Sequence, residues 1–178
     1  MNSAMELTNR IRIISHNCAK SQNVMQSILH TTINTADIVL IQEPWIRLDR
    51  ETGQQTTISH PSFHALIPAT NRGGRKARVM AFISSTHPFL KTTPRPDICP
   101  DPDLQVLEIS TVSIPTTLIL NIYNEAAPGN DNQRIWTVER SLVSISLPPR
   151  AIILGDFNAH HPWWTSRKRP IRADNLVQ

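Results

Sequence analysis

Cysteine is scarce in this chain, and long apolar runs are missing. Its two cysteines, Cys18 and Cys99, cannot form the disulfide framework of a small secreted protein, and their separation fits no zinc-ligand spacing. The first ten residues lack the apolar stretch and cleavage site of a secretory signal, and no later run approaches the length of a membrane span. These absences predict a soluble, intracellular protein in a reducing compartment, with no membrane partner.

Charged residues and glycines are also few. Charged side chains make up 18% of the 178 residues and there are 5 glycines, whereas the 14 prolines are many. Proline fixes φ and lacks a backbone N–H, so this content favours short elements joined by rigid loops over a long-helix bundle. The 18 basic and 14 acidic residues leave a formal charge of +4. That charge favours nucleic acid as a partner, but it fits a domain without a polyanion ligand equally well.

The feature that recurs is a short β-branched run ending in polar residues. Continuous apolar runs of this length are typical of strands buried on both faces. Such strands deliver the polar residues that follow them to an edge of the sheet, where ligands collect. The four runs, with the polar residues that end them, span 11–17, 37–43, 117–124 and 151–158.

The segments between these runs predict helices, a hairpin and loops. Apolar residues recur at helical spacing in two segments, and we predict helices at 24–34 and 132–146. We predict a hairpin joining 62–67 to 77–84 through 71–74, a strand at 104–113 paired with the run around Leu118, and a loop at 88–102. The whole is one α/β domain over residues 11–178 with helices outside the sheets, after a flexible N-terminus at residues 1–10.

The most specific segment follows the last run. Gly155 ends it, and Asp156 and Asn158 point to the same side while Phe157 turns toward the core. An aspartate at a strand end can accept a proton from water, and an asparagine can hold a phosphate oxygen without adding negative charge. The same residues also favour turns, so a plain turn is an equal alternative when this segment is taken alone.

Three earlier strand ends carry oxygen-bearing side chains as well. Glu43 is a hard oxygen ligand suited to Mg²⁺, Asn17 offers a neutral amide, and Tyr123 offers a hydroxyl donor for a developing charge. Each has an ordinary alternative, namely a surface charge, a turn residue and a half-buried core aromatic. The order Asn, Glu, Tyr and Asp-x-Asn, each closing a separate strand, favours one shared site.

These residues resemble the endonuclease/exonuclease/phosphatase superfamily. The segment 155–164, Gly-Asp-Phe-Asn-Ala-His-His-Pro-Trp-Trp, and the segment 42–45, Gln-Glu-Pro-Trp, are most similar to the endonuclease domains of non-LTR (LINE-type) retrotransposon polyproteins. The resemblance extends from about Ile11 to Gln178. It implies a four-layer α/β sandwich, in which two mainly antiparallel sheets pack face to face with helices outside.

The resemblance also implies a role for each residue of the site. Glu43 would bind the catalytic divalent metal with Asn17 nearby, and Tyr123 would contact the scissile phosphate. Asp156 would orient or deprotonate the attacking water, and Asn158 would hold a phosphate oxygen. The implied cofactor is Mg²⁺, with Mn²⁺ as a substitute. The implied partner is DNA, within a larger reverse-transcriptase polyprotein of nuclear location. A phosphoinositide phosphatase and a non-catalytic nucleic-acid-binding remnant are the alternatives.

The chain departs from this family in one respect. Family members continue with a further aspartate and a Ser-Asp-His element, and this sequence contains no Asp-His pair. We therefore expect a domain incomplete at its C-terminus that shows little or no nicking when assayed alone. Loss of one electrostatic group of this kind commonly costs about 10² to 10³ in rate.

Basic and aromatic residues at two places are candidate DNA contacts. Arg72 and Arg75, with Lys76 and Arg78, lie near the hairpin tip, and the others follow the last strand. Solvated surface and packing are the competing interpretations for both groups. Zinc binding by His160 and His161 is disfavoured, because adjacent histidines point apart and no third ligand lies at a useful spacing. The candidates after the last strand are His160, Trp164, Arg167, Lys168 and Arg169.

Overall fold

A computed structural model of the chain describes residues 10–68, 75–125 and 136–158. Within those ranges the chain forms ten strands, one α-helix and one π-helix. In chain order they are β1 (Ile13–Asn17), α1 (Gln22–Thr32), β2 (Ile38–Gln42), β3 (Arg47–Leu48), β4 (Gln55–Thr56), β5 (Phe63–Leu66), β6 (Val79–Ser84), β7 (Lys91–Pro94), β8 (Leu104–Ser110), β9 (Thr117–Tyr123), the π-helix (Val138–Leu142) and β10 (Ala151–Asp156).

The strands form two four-stranded sheets and a small ribbon. The first sheet has the order β1-β2-β6-β5, the second has the order β10-β9-β8-β7, and β3 pairs with β4. In the first sheet β1 and β2 are parallel, and in the second β9 and β10 are parallel, whereas the remaining pairs are antiparallel. The predicted hairpin strands β5 and β6 pair as expected, and so do β8 and β9. The predicted mixed α/β fold is confirmed.

Apolar side chains from both sheets share one buried cluster. It includes Leu40 and Ala81 from the first sheet and Leu107 and Ile119 from the second. Each is fully buried, so the two sheets are held together by the hydrophobic effect over this shared face. The other face of the second sheet packs against Val138 and Leu142 of the π-helical segment.

Helix α1 covers the other face of the first sheet. It begins at the N-cap Ser21, whose hydroxyl accepts the N–H of Val24 at 3.3 Å, and it ends at Thr32, close to the predicted stop. Met25 and Leu29, one turn apart, are fully buried against that sheet. None of the helices in the described part of the chain is long and apolar enough to cross a membrane.

Four predicted elements differ in the structure, a loop, two strands and a helix. The proline-rich segment 88–102 is not only a loop, because Lys91–Pro94 forms β7 against β8. Proline is tolerated there because β7 lies at the edge of its sheet, where a missing N–H leaves no ladder bond unmade. Strands β1 and β10 are half-exposed rather than buried on both faces, and Ile152 is 40% exposed.

The second predicted helix is also different. Within its described residues the chain forms a five-residue π-helix, in which the N–H of Val143 donates to the carbonyl of Val138. The i→i+5 bond inserts an extra residue into the turn, a feature that often occurs at functional sites. Here it allows Arg140 and Ser141, adjacent in sequence, to hydrogen-bond the same carboxylate, that of Asp101.

Candidate active site

Strand direction brings the predicted site residues to one end of the two sheets. Asn17 ends β1 opposite Gln42 of the parallel strand β2, and Asp156 ends β10 opposite Tyr123 of the parallel strand β9. Parallel neighbours end on the same edge, so each sheet places two polar strand ends side by side. Glu43 follows Gln42 directly.

A hydrogen bond between Asn17 and Asp156 joins the two sheets at this end. Asn17 Nδ2 donates to Asp156 Oδ2 at 2.7 Å, and Asn17 Oδ1 accepts the N–H of Ala19 at 2.8 Å. The second oxygen of Asp156 accepts the N–H of Asn158 at 2.9 Å. The Asp156 carboxylate is therefore held from two sides, which fixes its orientation.

The hydroxyl of Tyr123 interacts electrostatically with Glu43 and Asn158. Its side chain is buried, and burial raises the pKa of its hydroxyl to about 12, with further increases from the charges of Glu43 and Glu125 and from a hydrogen bond to Glu43. A hydrogen bond with Asn158 acts in the opposite direction. The hydroxyl thus stays protonated at neutral pH and can donate a hydrogen bond.

Glu43 has a backbone conformation that side-chain-bearing residues seldom adopt. Its φ is +46°, its N–H donates to the carbonyl of Arg78 at 2.9 Å, and its carbonyl accepts the N–H of Lys20 at 2.7 Å. Positive φ at a residue other than glycine is uncommon and often occurs at functional sites. The Glu43 carboxylate is 19% exposed and lies 3.4 Å from Lys20 Nζ, whose side chain is 70% exposed.

Gly155 determines how closely β10 approaches β9. Its φ is +145°, and a Cβ on this residue would lie 1.9 Å from the carbonyl oxygen of Ile122. Any side chain would therefore push the two strands apart or change the backbone. Glycine is required at this position because the close approach puts Asp156 next to Tyr123.

Two pockets adjoin these residues. One, of about 410 Å³, is lined by Ser15, Asn17, Gln42 and residues 154–158. The other, of about 150 Å³, is lined by Lys20, residues 43–46 and residues 76–78. Gln42 and Glu43, adjacent in sequence, line different pockets. A substrate long enough to occupy both pockets would lie against the Glu43 carboxylate.

A buried polar network, not predicted from the sequence, underlies the larger pocket. Asn121 of β9 is fully buried and donates to the carbonyls of Ile41 and Met80 in the other sheet, at 3.2 and 2.9 Å. Its Oδ1 accepts a hydrogen bond from Gln42 at 2.6 Å, and Gln42 in turn bonds Ser15. The signal that could have revealed it is an asparagine inside an otherwise apolar run.

An ionic cluster, also missed in the sequence, underlies the smaller pocket. Arg78 pairs with Asp103 and Glu125, and Arg140 pairs with Asp101 and Asp103. Asp103 is completely buried. Arg78, a candidate DNA contact in the sequence, has its guanidinium bound within the protein and only 19% of its side chain exposed. No local pattern identifies these residues, since their partners are 25 to 47 positions away.

The other candidate DNA contacts divide between described and undescribed parts of the chain. Arg75 is exposed beside the smaller pocket, near Lys76. The remaining candidates lie outside the described residues, namely Arg72, His160, Trp164, Arg167, Lys168 and Arg169. His161 also lies outside the described residues, and the expectation that His160 and His161 do not bind zinc stays a prediction.

The donors present are compatible with a magnesium ion. Among residues 10–68, 75–125 and 136–158, no group of three or more His, Cys, Asp or Glu side chains could hold a metal by itself. Mg²⁺, however, keeps several waters and is usually bound by one or two carboxylates together with substrate phosphates. The Glu43 carboxylate suits this mode, and it already accommodates a cation, the Lys20 ammonium.

Comparison with known proteins gives the same family as the motifs. No curated protein matches the chain. The profile of the Endonuclease/Exonuclease/phosphatase family matches residues 14–176. This span includes all the strands described above apart from Ile13, the first residue of β1. Members of that family are hydrolases of phosphoester bonds, generally dependent on divalent metals. This chain belongs to the Endonuclease/Exonuclease/phosphatase family.

Proposed function

We propose that this site hydrolyses a DNA phosphodiester, with Mg²⁺ bound at Glu43, as an endonuclease of the non-LTR retrotransposon type. The observation that carries the proposal is that residues from four strand ends interact with one another. Asn17 bonds Asp156, Asp156 bonds Asn158, and the pKa of the Tyr123 hydroxyl is shifted by both Glu43 and Asn158. The Asp156 carboxylate and the amides of Asn17 and Asn158 line the larger pocket, and the Glu43 carboxylate lines the smaller one beside it.

Each side chain has a role that its contacts permit. Asp156, held on both oxygens by N–H donors, would orient the attacking water and accept its proton. Tyr123, protonated at neutral pH, would donate to a phosphate oxygen as charge develops on it. Asn158 would hold a second phosphate oxygen through its amide. These preorganised donors act where the transition state gains charge, so they accelerate the step rather than only bind substrate.

The metal would be held by Glu43 on the protein side, with Asn17 close by. A bound Mg²⁺ or Mn²⁺ supplies charge that offsets the negative charge of the reacting phosphate. Oxygen ligands favour these hard cations over zinc. The Lys20 ammonium must then leave the carboxylate, which its exposed side chain permits.

DNA as substrate is supported by the sequence around the site. The phrase His-His-Pro-Trp-Trp after Asn158, and Pro-Trp after Glu43, resemble retrotransposon endonucleases rather than phosphatases of the family. With that assignment we also propose the four-layer sandwich over residues 11–178, a place within a reverse-transcriptase polyprotein, and a nuclear location. Exposed Arg75 and Lys76 beside the smaller pocket supply positive charge for a phosphate backbone.

The test is nicking of supercoiled plasmid in the presence and absence of Mg²⁺. The protein is used in excess over DNA, so that a single turnover is measured. Asp156→Asn should reduce the Mg²⁺-dependent rate about 10²- to 10⁴-fold, the range for loss of a general base. Asp97→Asn is the matched control, because Asp97 is exposed and pairs with the nearby Arg95. Equal rates in the two variants would refute the proposal.

Two further measurements distinguish the alternatives. Release of phosphate from a soluble phosphoinositide, lost in Asp156→Asn while plasmid stays intact, would support the phosphatase. Binding of duplex DNA with a steep salt dependence, unchanged in Glu43→Gln and without cleavage by the wild type, would support a non-catalytic nucleic-acid-binding protein.

A further inference from the structure

The ion pair between Arg78 and Asp103 adjoins Glu43 and Tyr123. The guanidinium binds the Asp103 carboxylate in bidentate fashion, with Nε to Oδ1 and Nη2 to Oδ2 both at 2.5 Å. Its third nitrogen, Nη1, bonds the carboxylate of Glu125. The guanidinium carbon lies 5.1 Å from the centre of the Tyr123 ring, within cation–π range.

The backbone of the same two residues holds the site residues. The carbonyl of Arg78 accepts the N–H of Glu43, and the carbonyl of Asp103 accepts the N–H of Tyr123, both at 2.9 Å. Arg78 precedes β6 of the first sheet, and Asp103 precedes β8 of the second. Their ion pair therefore joins the segment that orients Glu43 to the segment that orients Tyr123.

Stability alone gives no reason for this cluster. Three carboxylates and two guanidinium groups meet here, with Asp103 completely buried. Desolvation of buried charges offsets much of their attraction, and well-packed apolar side chains of similar volume commonly replace such pairs without loss of stability. What the ion pair supplies and apolar packing would not is a fixed, directional geometry, since the fork of arginine matches both carboxylate oxygens at once.

We propose that Arg78 is a positioning residue of the active site, which acts through Asp103 to fix Glu43 and Tyr123 relative to each other. This inference rests on the proposed function, because it assigns Arg78 to the same metal and phosphate site. Arg140 supports it from the other side of Asp103, where the π-helix brings its guanidinium onto both Asp101 and Asp103.

The chain offers a matched control at the opposite end of β2. Arg12 also forks onto a buried aspartate, Asp37, with Nε at 3.3 Å and Nη2 at 3.1 Å. Asp37 precedes β2, and Glu43, whose N–H bonds the Arg78 carbonyl, follows it. The two ion pairs therefore lie at opposite ends of that strand, and only the pair of Arg78 borders the site. Lysine in place of either arginine keeps the charge and removes the fork, so a change of Mg²⁺ affinity reports geometry rather than charge.

The experiment measures Mg²⁺ binding to the full chain by calorimetry, with Glu43→Gln to establish that binding occurs at that carboxylate. Arg78→Lys should weaken Mg²⁺ binding about tenfold, as loss of groups that orient metal ligands commonly does. Asp103→Asn should weaken it in the same direction, whereas Arg12→Lys should leave it at the wild-type value. Wild-type affinity in Arg78→Lys and Asp103→Asn, or equal losses in Arg78→Lys and Arg12→Lys, would overturn the proposal.

A second readout separates this inference from the function on which it rests. Tyr123 is the only tyrosine, so ¹³C-labelled tyrosine gives ring signals from this residue alone. We expect one set of ring signals in the wild type and in Arg12→Lys, and shifted or doubled signals in Arg78→Lys. If the wild type binds no Mg²⁺, the proposed function has failed, and unchanged ring signals in Arg78→Lys would still refute the positioning role.

Discussion

The two ends of β2 carry acidic residues in contrasting environments. At one end Asp37 accepts the backbone N–H of Arg12 at 2.7 Å and both arms of its guanidinium, and its side chain is 4% exposed. At the other end the Glu43 carboxylate pairs with the ammonium of Lys20, an exposed lysine, at 3.4 Å and also interacts with the hydroxyl of Tyr123. The first carboxylate is fully used in holding the fold. The second pairs with an exposed lysine and, under the proposed function, is the one that binds Mg²⁺. The two ends of one strand would thus serve stability and catalysis separately.

The largest expected effect is on the nicking rate and comes from a change at Glu43, which follows β2. Glu43→Gln removes the charge that would bind Mg²⁺ and should lower the Mg²⁺-dependent nicking rate about 10³-fold, equivalent to several kcal/mol of charge stabilisation. Asp37→Asn should nick at the wild-type rate at a temperature where it is folded. Single-turnover nicking measures both variants. A similar loss in the two variants would mean that the carboxylates do not have separate roles.

The next largest effect is on stability and comes from a change at Asp37, which precedes β2. Asp37→Asn should lower the free energy of unfolding by about 2 kcal/mol, because hydrogen bonds to a charged group contribute about 1.5 to 3 kcal/mol. Glu43→Gln should unfold at the wild-type denaturant concentration or slightly above it, since Glu43 makes no comparable ion pair. Chemical denaturation of the two variants gives the comparison. Greater loss in Glu43→Gln would reverse the assignment.

Low pH tests the contribution of the Asp37 carboxylate to stability. Burial raises the pKa of Asp37, but the hydrogen bonds and charge of Arg12 outweigh it, so the folded-state pKa lies below the ordinary value. This contribution to stability is present above the unfolded pKa, about 3.9, and is lost as pH falls through the folded pKa. The stability difference between wild type and Asp37→Asn should therefore shrink below about pH 4. A difference that stays constant to lower pH would contradict it.

A smaller effect concerns Tyr123. Burial and the charge of Glu43 raise the pKa of its hydroxyl to about 12. A raised folded-state pKa stabilises the fold below the unfolded value of about 10 and is lost as pH rises toward the folded value. Glu43→Gln should lower the pKa of Tyr123, and Asp37→Asn should not. Tyrosinate absorbance measures this residue alone, because the chain has one tyrosine. No shift in Glu43→Gln would place the hydroxyl away from the carboxylate.

The smallest effect comes from Lys20. Its ammonium occupies the carboxylate that Mg²⁺ would bind, so Lys20→Ala should tighten Mg²⁺ binding about two- to fivefold, the range for an exposed ion pair. Lys91→Ala is the control, since Lys91 is exposed on the edge strand β7. Calorimetric titration gives both affinities. Weaker binding in Lys20→Ala would instead make the lysine a helper of the metal site.

The sequence predicts well where the strands that carry the candidate site residues end. Asn17, Glu43, Tyr123 and Asp156 each close an apolar run, and parallel pairing of β1 with β2 and of β9 with β10 brings those ends together. Position along a strand is a local property, so the pattern of apolar and polar residues contains it. The hairpin of β5 and β6 was predictable for the same reason.

The parts that escaped prediction depend on contacts distant in the chain. The π-helix was predicted as a regular helix, because apolar spacing does not reveal an extra residue held by Arg140 and Asp101. The β7 strand lies in a proline-rich segment whose local signals all favour a loop. Arg78 looked like a surface cation, because nothing local shows that Asp103 neutralises it.

Gly155 has a genetic consequence. A glycine codon encodes a different residue, or stops translation, after any single change in its first or second base. A change that encodes another residue would put a side chain against the carbonyl of Ile122 and separate Asp156 from Tyr123, although every chemically active group would still be encoded. The carboxylate and amide residues of the site are therefore not enough to separate intact related genes from decayed ones. Residue 155 must be compared as well.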